Sequence, residues 1–419
     1  MSGLNFLNKL LDGVDVEWLS LGELGDFIRG NGLQKKDFVE SGFPAIHYGQ
    51  IYTRYGLSAD KTFTYVLPEL ANKLRKAQKN DLLLATTSEN DEDVVKPLAW
   101  LGDNVAISGD MMLFRHEQNV KYLAYFFQSE IFQTQKMKYI TGAKVRRVSS
   151  GDLSKIKIPI PCSNNPEKSL AIQSEIVRIL DKFTALTAEL TAELNMRKKQ
   201  YNYYRDQLLS FDNEDVPHLP MGQKDIGEFI RGGTFQKKDF MDAGVGCIHY
   251  GQIYTYYGTY TKKTKTHISA ALAKKCKKAQ KGNLIIATTS ENDEDVCKAV
   301  AWLGSDDIAV SSDACIYKHN LNPKYVSYYF QTEQFQNQKR QYITGAKVRR
   351  VNADNLSKIL IPVPSMAVQE RIVSILDKFD TLTNSITEGL PREIELRQKQ
   401  YEYYRDLLFS FPKPETVSN

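Results

Sequence analysis

Two long stretches of the chain carry apolar residues at alternating steps of three and four. The first covers residues 171–211 and the second covers residues 368–411. This spacing is typical of a coiled coil, and at about 1.5 Å per residue the first stretch predicts a helix roughly 60 Å long. The seam positions are Ile176, Ile179, Phe183, Leu186 and Leu190 in the first stretch and Ile372, Ile375, Phe379, Leu382 and Ile386 in the second. We expect each seam to need a partner, which the other helix supplies.

The second helical stretch belongs to a repeat that spans nearly the whole chain. The phrase QKKDF occurs at Gln34 and Gln236, IHYGQIYT at Ile46 and Ile248, ATTSENDEDV at Ala85 and Ala287, and TGAKVRRV at Thr141 and Thr344. An IPIP or IPVP segment, interpreted as a short rigid connector, precedes each helix. A period this long indicates a tandem duplication of one globular unit plus one helix.

Each globular unit is expected to mix strands and helices. Short apolar runs predict strands at residues 82–85, 99–101, 105–108 and 111–114, with copies at 284–287 and 314–317. Helical spacing at residues 121–140 predicts a helix capped by Asn119, with a twin at 324–343. The fold class is therefore α+β: two similar globular domains separated by long helices that pair as an antiparallel coiled coil, with approximate twofold symmetry.

The predicted boundaries follow the repeat. They are an N-terminal helix at 1–14 that closes the pseudo-symmetric ring, globular domains at 15–165 and 212–365, helices at 166–211 and 366–411, and a flexible tail at 412–419. Two or three domains suit a chain of 419 residues.

Composition and charge exclude some classes of protein. A run of eighteen or more apolar residues is absent, which argues against a membrane span. The five cysteines are scattered without a CxxC pair, which fits free thiols in a reducing cytoplasm and argues against a structural zinc. The net charge of +5 is mild and predicts no partner by itself.

The TGAKVRRV phrase is the first candidate for chemistry. A glycine turn is followed by three cations suited to phosphate or guanine contacts, Lys144, Arg146 and Arg147 in the first copy and Lys347, Arg349 and Arg350 in the second. Further cations that could position a DNA backbone are Lys35, Lys36, Lys237 and Lys238. The alternative is a solvated basic loop. Retention in both copies favours nucleic-acid binding.

The IHYGQIYT phrase mixes side chains that can meet base edges, phosphates or rings. Its candidates are His47, Tyr48, Gln50 and Tyr52, with His249, Tyr250, Gln252 and Tyr254 in the second copy. The alternative interpretation is a strand whose alternate residues pack a core. Metal binding is not expected, since neither histidine has a second histidine or cysteine at ligand spacing.

The TTSENDEDV phrase is a polar, acidic segment after a buried strand. Its candidates for base contacts are Thr86, Thr87, Ser88 and Asn90, with Thr288, Thr289, Ser290 and Asn292 in the second copy. One alternative is a solvent hairpin. The other is a divalent-metal nuclease using Glu89, Asp91 and Asp93. Nucleotide-binding, hydrolase and metalloprotease motifs are absent, so we expect no catalytic centre in this chain and no metal.

Several of these features together resemble the specificity subunit of type I restriction–modification enzymes. They are the duplicated globule, the IPIP/IPVP joint, Gln173 and Gln369 with the ILDKF sequence that follows, and the YYRD ends that begin at Tyr203 and Tyr403. The resemblance covers nearly the whole chain. It implies that each globule is a target-recognition domain that reads one half of a split site in double-stranded DNA, and that the helices set the spacer.

The resemblance also implies partners. The helices would dock two modification subunits, which carry S-adenosylmethionine and methylate adenine, and a restriction subunit can join. The specificity subunit itself would be non-catalytic, bind no cofactor and act in the cytoplasm. The alternative is a solitary duplicated DNA-binding scaffold or regulator without these partners.

The near identity of the two copies is unusual for such a subunit. It predicts half-sites that are the same or closely related and inverted about a spacer that the protein does not contact. The copies differ at Arg54/Tyr256, Leu57/Thr259, Ser58/Tyr260, Ala59/Thr261, Pro97/Ala299 and Leu98/Val300. Where these positions face bases, the two halves would differ by a base.

Overall fold

The computed structural model describes Leu11, residues 13–211 and residues 215–411. These residues fall into two compact units, one built from residues up to 189 together with residues from 395 onward, the other from residues 190–394. Each unit therefore contains one globular domain and parts of both helical stretches. The N-terminal helix predicted at 1–14 lies outside the described residues apart from Leu11, Gly13 and Val14, and so does the tail predicted at 412–419.

The first unit contains thirteen described strands and the start of a long helix. The helices are α1 Leu21–Leu24, α2 Tyr48–Thr53, α3 Pro68–Ala71, α4 Val120–Gln128, α5 Glu130–Lys136, α6 Ser150–Leu153 and α7 Pro166–Ser210, which ends in the second unit. The strands are β1 Val16–Ser20, β2 Gly25–Arg29, β3 Phe43–Ile46, β4 Ser58–Ala59, β5 Thr64–Val66, β6 Lys76–Ala77, β7 Leu82–Ala85, β8 Thr87–Ser88, β9 Lys96–Trp100, β10 Val105–Ile107, β11 Met111–His116, β12 Arg146–Arg147 and β13 Lys157–Pro161.

Two mixed sheets form the body of this domain. One has the order β2-β11-β7-β9-β4 and the other the order β5-β3-β10-β6. Strand β7 is buried on both faces, because Leu83 packs in one core with Ile46 and Ile107, whereas its neighbours Leu82 and Leu84 pack in another core with α4. This alternation follows the two-residue period of a strand and explains why all four residues of β7 are apolar.

The second unit repeats the arrangement. Its helices are α8 Tyr250–Thr255, α9 Ala270–Ala273, α10 Pro323–Tyr329, α11 Glu333–Arg340, α12 Ala353–Leu356, α13 Met366–Asn384 and the start of α14 Leu390–Phe409. Its strands are β14 His218–Pro220, β15 Gly227–Arg231, β16 Val245–Ile248, β17 Tyr260–Thr261, β18 Thr266–Ile268, β19 Lys278–Ala279, β20 Leu284–Ala287, β21 Thr289–Ser290, β22 Ala299–Trp302, β23 Ile308–Val310, β24 Ala314–His319, β25 Arg349–Arg350 and β26 Leu360–Pro362. The sheet orders match, β15-β24-β20-β22-β17 and β18-β16-β23-β19.

The strands predicted from apolar runs are confirmed, but two local expectations and one alternative interpretation are wrong. The helix predicted at 121–140 is capped by Asn119 as expected, yet it breaks at Ser129, whose hydroxyl accepts from the N–H of Phe132 and begins α5. The IPIP and IPVP segments are not mere connectors, because β13 pairs with β1 and β26 pairs with β14 in two-stranded antiparallel sheets. The IHYGQIYT phrase is not a strand beyond its first isoleucine, since α2 and α8 begin at its tyrosine.

The two helical stretches differ in continuity. Helix α7 runs without a break for 45 residues, as the sequence predicts. The second stretch is interrupted between α13 and α14, where Gly389 takes a φ of +82°, and the expectation of one continuous helix is therefore wrong. Ile386, predicted as a seam residue, lies in this interruption and is 78% exposed.

The helices pair within each unit. In the first unit Phe183 of α7 stacks on Tyr404 of α14 at 5.2 Å, and in the second Tyr204 of α7 stacks on Phe379 of α13 at 5.7 Å. Of the other predicted seam residues, Ile176 and Ile372 are buried, Ile179, Leu190, Ile375 and Leu382 are half-buried, and Leu186 is exposed.

The recurring phrases of the helices anchor them to the globular domains. Asp181 of the first LDKF accepts from the hydroxyl of Tyr125 at 2.7 Å and pairs with Lys121, while Gln173 accepts from the backbone N–H of Asn119 at 3.0 Å. Asp406 of the second YYRD accepts from the N–H of Glu130, the first residue of α5. Asp377, Gln369 and Asp206 make the equivalent contacts in the second unit. The resemblance therefore rests on residues that join helix to domain.

Candidate nucleic-acid interface

The basic phrase TGAKVRRV forms a hairpin in each unit. The backbones of Thr141 and Arg147 exchange two hydrogen bonds of 2.9 Å, and Gly142 turns the chain with a φ of +92°. A Cβ on Gly142 would lie 2.1 Å from the carbonyl oxygen of Val145, so only glycine fits there. Lys144 and Arg147 are exposed on this hairpin, as are Lys347 and Arg350 in the second unit.

The hairpin is bound to the acidic segment, which the sequence did not reveal. Strand β12 pairs with β8, so that Arg146 lies opposite Ser88 and Arg147 opposite Thr87. The Nε of Arg146 lies 2.8 Å from Oδ1 of Asp91, and its Nη1 donates to the carbonyl of Gly142. Arg349 and Asp293 form the same pair at 2.8 Å. In each unit the basic hairpin and the acidic segment therefore form one surface, on which Arg146 in the first unit and Arg349 in the second hold the hairpin against the segment.

The acidic segment is internally ordered. Asn90 donates from Nδ2 to the carboxylate of Asp93 at 2.8 Å, and its Oδ1 accepts from the N–H of Asp93 at 2.7 Å. Asn292 and Asp295 repeat both hydrogen bonds. Asn90 is exposed and Ser88 is half-buried. The second unit is the same, with Asn292 exposed and Ser290 half-buried.

A buried lysine supports the acidic segment from below, and sequence analysis missed it. Lys136 of α5 is fully buried and donates from Nζ to the carbonyl oxygens of Glu92 and Val94, at 2.8 and 3.0 Å. Lys339 does the same to Glu294 and Val296. Burial lowers the pKa of Lys136 to about 8, although the neighbouring carboxylates of the segment partly oppose this. The signal in the sequence was a lysine four residues after a phenylalanine in a helix, Phe132 in the first copy and Phe335 in the second, retained in both copies.

Helix α2 supports the surface more than it exposes side chains to it. His47 caps the helix by accepting from the N–H of Gly49 at 3.2 Å, and Gln50 accepts from the N–H of His47 at 2.9 Å. Both side chains are buried, as are His249 and Gln252, which make the same bonds. The sequence predicts that these four residues contact DNA. In the structure their side chains make hydrogen bonds to the backbone at the start of the helix.

Tyr52 connects α2 to the acidic segment. Its hydroxyl donates to the carbonyl of Thr87 at 2.9 Å, as Tyr254 does to Thr289 at 2.8 Å, and burial raises the pKa of both phenols. Thr86, Thr87 and Thr289 are buried and Thr288 is half-buried, with the backbone of Thr86 bonded to Asp110 and that of Thr288 to Asp313. The threonines and tyrosines thus shape the surface. Tyr48 and Tyr250 are half-buried. The backbone N–H of Tyr48 donates to the hydroxyl of Ser108, and that of Tyr250 donates to the hydroxyl of Ser311.

The QKKDF lysines lie beside the cap of α2. Lys35 and Lys36 are exposed on a short 3-10 turn, and Lys237 and Lys238 are exposed on its copy. Phe38, which follows the turn, contacts the ring of His47, and the charge of Lys35 adds to burial in lowering the pKa of that histidine. The turn therefore adds cations next to α2.

The described residues of the two units lack the grouping of side chains that a metal-dependent nuclease needs. Among the described residues no three His, Cys, Asp or Glu side chains form a potential metal site. Of the proposed ligands, Asp91 is paired with Arg146 and Asp93 is bonded to Asn90. The four cysteines of the second unit are buried, and all five cysteines are free.

The comparisons with known proteins agree on one family. The family model described as Type I restriction modification DNA specificity domain matches residues 13–197 and again residues 220–396. The EcoR124I/EcoR124II specificity subunit of Escherichia coli is 42% identical over the full length of both chains. The EcoprrI specificity subunit of the same species is 31% identical, covering 93% of each chain.

A solved structure shares the fold. It comes from work on complex assembly and conformational transition of the type I restriction–modification system, and it superposes with a TM-score of 0.59 over 94% of this chain and 97% of that chain, at 14% identity. The chain is thus built as two tandem specificity domains with long helices. It belongs to the family of type I restriction–modification specificity subunits. In the part of the chain that the structure describes, no helix has the length and apolarity of a membrane span.

Proposed function

We propose that this chain is the non-catalytic specificity subunit of a type I restriction–modification enzyme and that each globular domain reads one half of a bipartite site in double-stranded DNA. The observation that carries the proposal is the paired construction of the acidic segment and the basic hairpin, which recurs in both domains with the same Arg–Asp distance of 2.8 Å. The site would be read in the cytoplasm, where such enzymes meet DNA.

The exposed and half-buried side chains of this surface divide into two kinds. The cations that suit phosphate or guanine are Lys35, Lys36, Lys144 and Arg147, with Lys237, Lys238, Lys347 and Arg350 in the second domain. Asn90 and Ser88, with Asn292 and Ser290, supply polar groups that suit base edges. Arg146 and Arg349 are held by carboxylates, so we assign them the role of fixing the hairpin.

The helices carry a second repeated surface. Tyr203 is 62% exposed and Tyr403 is 61% exposed, each at the same place in a YYRD phrase. Each sits three residues before an aspartate that is committed to the domain, Asp206 or Asp406. Exposed tyrosines are favourable anchors in protein interfaces. Two equivalent surfaces on one chain support docking of two modification subunits, which would bring S-adenosylmethionine, and a restriction subunit can complete the assembly.

The close similarity of the two domains supports a target whose halves are the same or closely related and inverted about a spacer. The helices would set the spacer, since α7 alone runs for 45 residues and is anchored to a domain in each unit.

The test is co-expression with a candidate modification subunit, followed by mapping N6-methyladenine across the host DNA. A split motif whose two halves are the same or closely related and inverted about a spacer is the expected result. Two unrelated half-sites would contradict the symmetry, and a stable complex that methylates nothing would contradict the role in modification. The solitary DNA-binding scaffold predicts binding without methylation, and Tyr203→Ala/Tyr403→Ala would then leave every DNA-dependent readout unchanged.

A further inference from the structure

An exposed stack of three side chains follows helix α2 in the first domain. The ring of Phe63 packs on the buried ring of Tyr55 at 5.0 Å, and the guanidinium carbon of Arg54 lies 5.7 Å from the centroid of Phe63. The hydroxyl of Tyr55 accepts from the N–H of Phe63 at 3.3 Å. Phe63 is 55% exposed, so the outer part of the stack faces solvent although its base is fixed in the domain.

The second domain builds a comparable stack from the equivalent positions, with an edge-to-face ring pair at 87° where the first domain has a tilted pair at 54°. Here the ring of Tyr256 packs on the buried ring of Tyr257 at 5.0 Å, and the Nζ of Lys265 lies 4.6 Å from the centroid of Tyr256. The hydroxyl of Tyr257 accepts from the N–H of Lys265 at 2.7 Å. Tyr256 is 56% exposed.

The two stacks exchange the sources of their aromatic ring and their cation. Arg54 and Tyr256 occupy the same place in the repeat, directly after YGQIYT, and Phe63 and Lys265 occupy the same place in the following loop. In the first domain the helix end supplies the cation and the loop supplies the ring; in the second domain the helix end supplies the ring and the loop supplies the cation. A cation–aromatic contact at an exposed site contributes only about 0.5–1 kcal/mol. Fold stability alone therefore gives little reason for a coupled change of two residues.

The chemistry of the exchanged groups suits a nucleic acid. An arginine can bond guanine through two nitrogens and an apolar ring can contact a thymine methyl, whereas a lysine is a point charge suited to phosphate. The loop also changes charge, since Asp60 corresponds to Lys262 in the second domain. The whole segment follows α2, whose Tyr52 is bonded to Thr87 of the acidic segment.

The difference between the two copies indicates that these stacks bind DNA and not a protein partner. Two identical modification subunits would require identical docking surfaces, and the exposed tyrosines of the helices are retained in both copies as that predicts. The two domains keep a ring and a cation beside a buried tyrosine but exchange the positions that supply them. Such a difference is expected where the two ligands are related and not identical. The two half-sites are ligands of this kind.

We propose that Arg54 with Phe63, and Tyr256 with Lys265, are specificity-determining pairs through which the two domains read different bases at equivalent positions of their half-sites. The proposal rests on the proposed function, because it assigns residues to the reading of the target. It predicts that the two halves differ by at least one base pair.

The test converts one stack into the other. Arg54→Tyr/Phe63→Lys gives the first domain the pair of the second without changing the net charge, and Tyr256→Arg/Lys265→Phe does the reverse. Each variant is assembled with the modification subunit, and its methylated motif is mapped against that of the wild type. We expect the double variants to change the preferred base at one position of the corresponding half by tenfold or more, toward the base of the other half.

Two further variants separate reading from folding. Arg54→Tyr alone should weaken methylation at that half without creating the new preference, because it removes the cation and leaves Phe63 in place. The matched control is Asn72→Lys/Arg75→Lys, which installs the second domain's residues at two exposed positions after α3 and should leave the motif unchanged.

Three results would overturn the assignment. They are wild-type half-sites that are identical, double variants that methylate the wild-type motif, and double variants that no longer bind the modification subunit, which would place the stack at a protein interface. None of these would remove the proposed function, because that function is judged on the wild-type motif.

Discussion

Lys136 donates from its Nζ to the backbone carbonyl of Glu92 at 2.8 Å, so a fully buried ammonium group joins α5 to the acidic segment. The same bond at 3.0 Å joins Lys339 to Glu294. No carboxylate appears among the hydrogen-bond acceptors of either described ammonium group; the acceptors are carbonyl oxygens. A charged group held in this way fixes the backbone path of the acidic segment, which contains Asn90 and Asp91.

Replacing this lysine should loosen the segment. Lys136→Met removes the donor of two hydrogen bonds to carbonyls, and each buried acceptor left without a partner costs about 1–3 kcal/mol. Removal of a buried charge offsets part of this cost. We expect faster amide exchange at residues 88–94 and loss of methylation dependent on the first half-site. Lys138→Met, at an exposed neighbouring position, is the control. Unchanged exchange at residues 88–94 would show that the ammonium group does not order the segment.

The pair of Arg146 and Asp91 gives a second prediction. Asp91→Asn removes the carboxylate that holds Nε of Arg146 at 2.8 Å and frees a cation beside the hairpin. Nonspecific DNA affinity should therefore rise and become more salt-dependent, while discrimination between the target and a mismatched site falls. Binding titrations at several salt concentrations measure both quantities. Equal losses of specific and nonspecific affinity would contradict a positioning role for Asp91.

Backbone geometry supplies a third prediction for the hairpin. Gly142→Ala places a Cβ against the carbonyl of Val145 at a backbone φ of +92°, and the turn must open. We expect methylation dependent on the first half-site to fall at least tenfold while the rest of the chain stays folded. Gly151→Ala is the matched control, since a Cβ there meets only the hydroxyl of Ser149, at an ordinary contact distance. Circular dichroism should be the same for both variants.

Two mostly buried histidines predict a dependence of stability on pH. Burial lowers the pKa of His116 and of His319 from 6.5 to about 4, and Nε2 of each lacks a hydrogen-bond partner among the described residues. The unfolded chain therefore takes up these protons at a higher pH than the folded chain, so the stability present above pH 6.5 is lost as the pH falls toward 4. Their depressed pKa values make acidification destabilising.

Urea unfolding at pH 7 and at pH 4.5 measures this effect. We expect the loss of unfolding free energy on acidification to be about 1–3 kcal/mol smaller in His116→Gln than in the wild type. His218→Gln serves as the control, because that ring is bonded to the carbonyls of Val216 and Ser210. An identical acid sensitivity of wild type and His116→Gln would contradict the prediction.

Local patterning was sufficient for the elements whose stability is local. Strand β7, the cap at Asn119 and the unbroken α7 all follow from short-range spacing. The sequence also contains a signal for the interruption before Leu390, because Gly389 and Pro391 both disfavour a helix interior. The apolar heptad positions on both sides nevertheless predict one continuous helix. The seam prediction succeeded only in part, since Ile176 and Ile372 are buried mainly in the domain cores.

The candidate site depended on contacts that no single motif encodes. Asp91 of the acidic segment and Arg146 of the hairpin lie 55 positions apart in the sequence, and only the pairing of β8 with β12 brings them together. His47 and Gln50 look like DNA ligands in the sequence because they are polar, but capping α2 uses the same polar atoms. The exchange between Arg54 and Phe63 is likewise visible only once both are known to lie on Tyr55.

The interruption at residues 385–389 has a mechanical consequence. A continuous α-helix resists bending because every turn is clamped by successive i to i+4 hydrogen bonds, and α7 keeps that clamp along its 45 residues. The second stretch lacks it between Asn384 and Leu390, where Gly389 adopts a conformation outside the helix. The two helical stretches therefore differ in stiffness: α7 is continuous, whereas the second stretch can bend at residues 385–389. We expect any bending of the helices to occur mainly at that interruption.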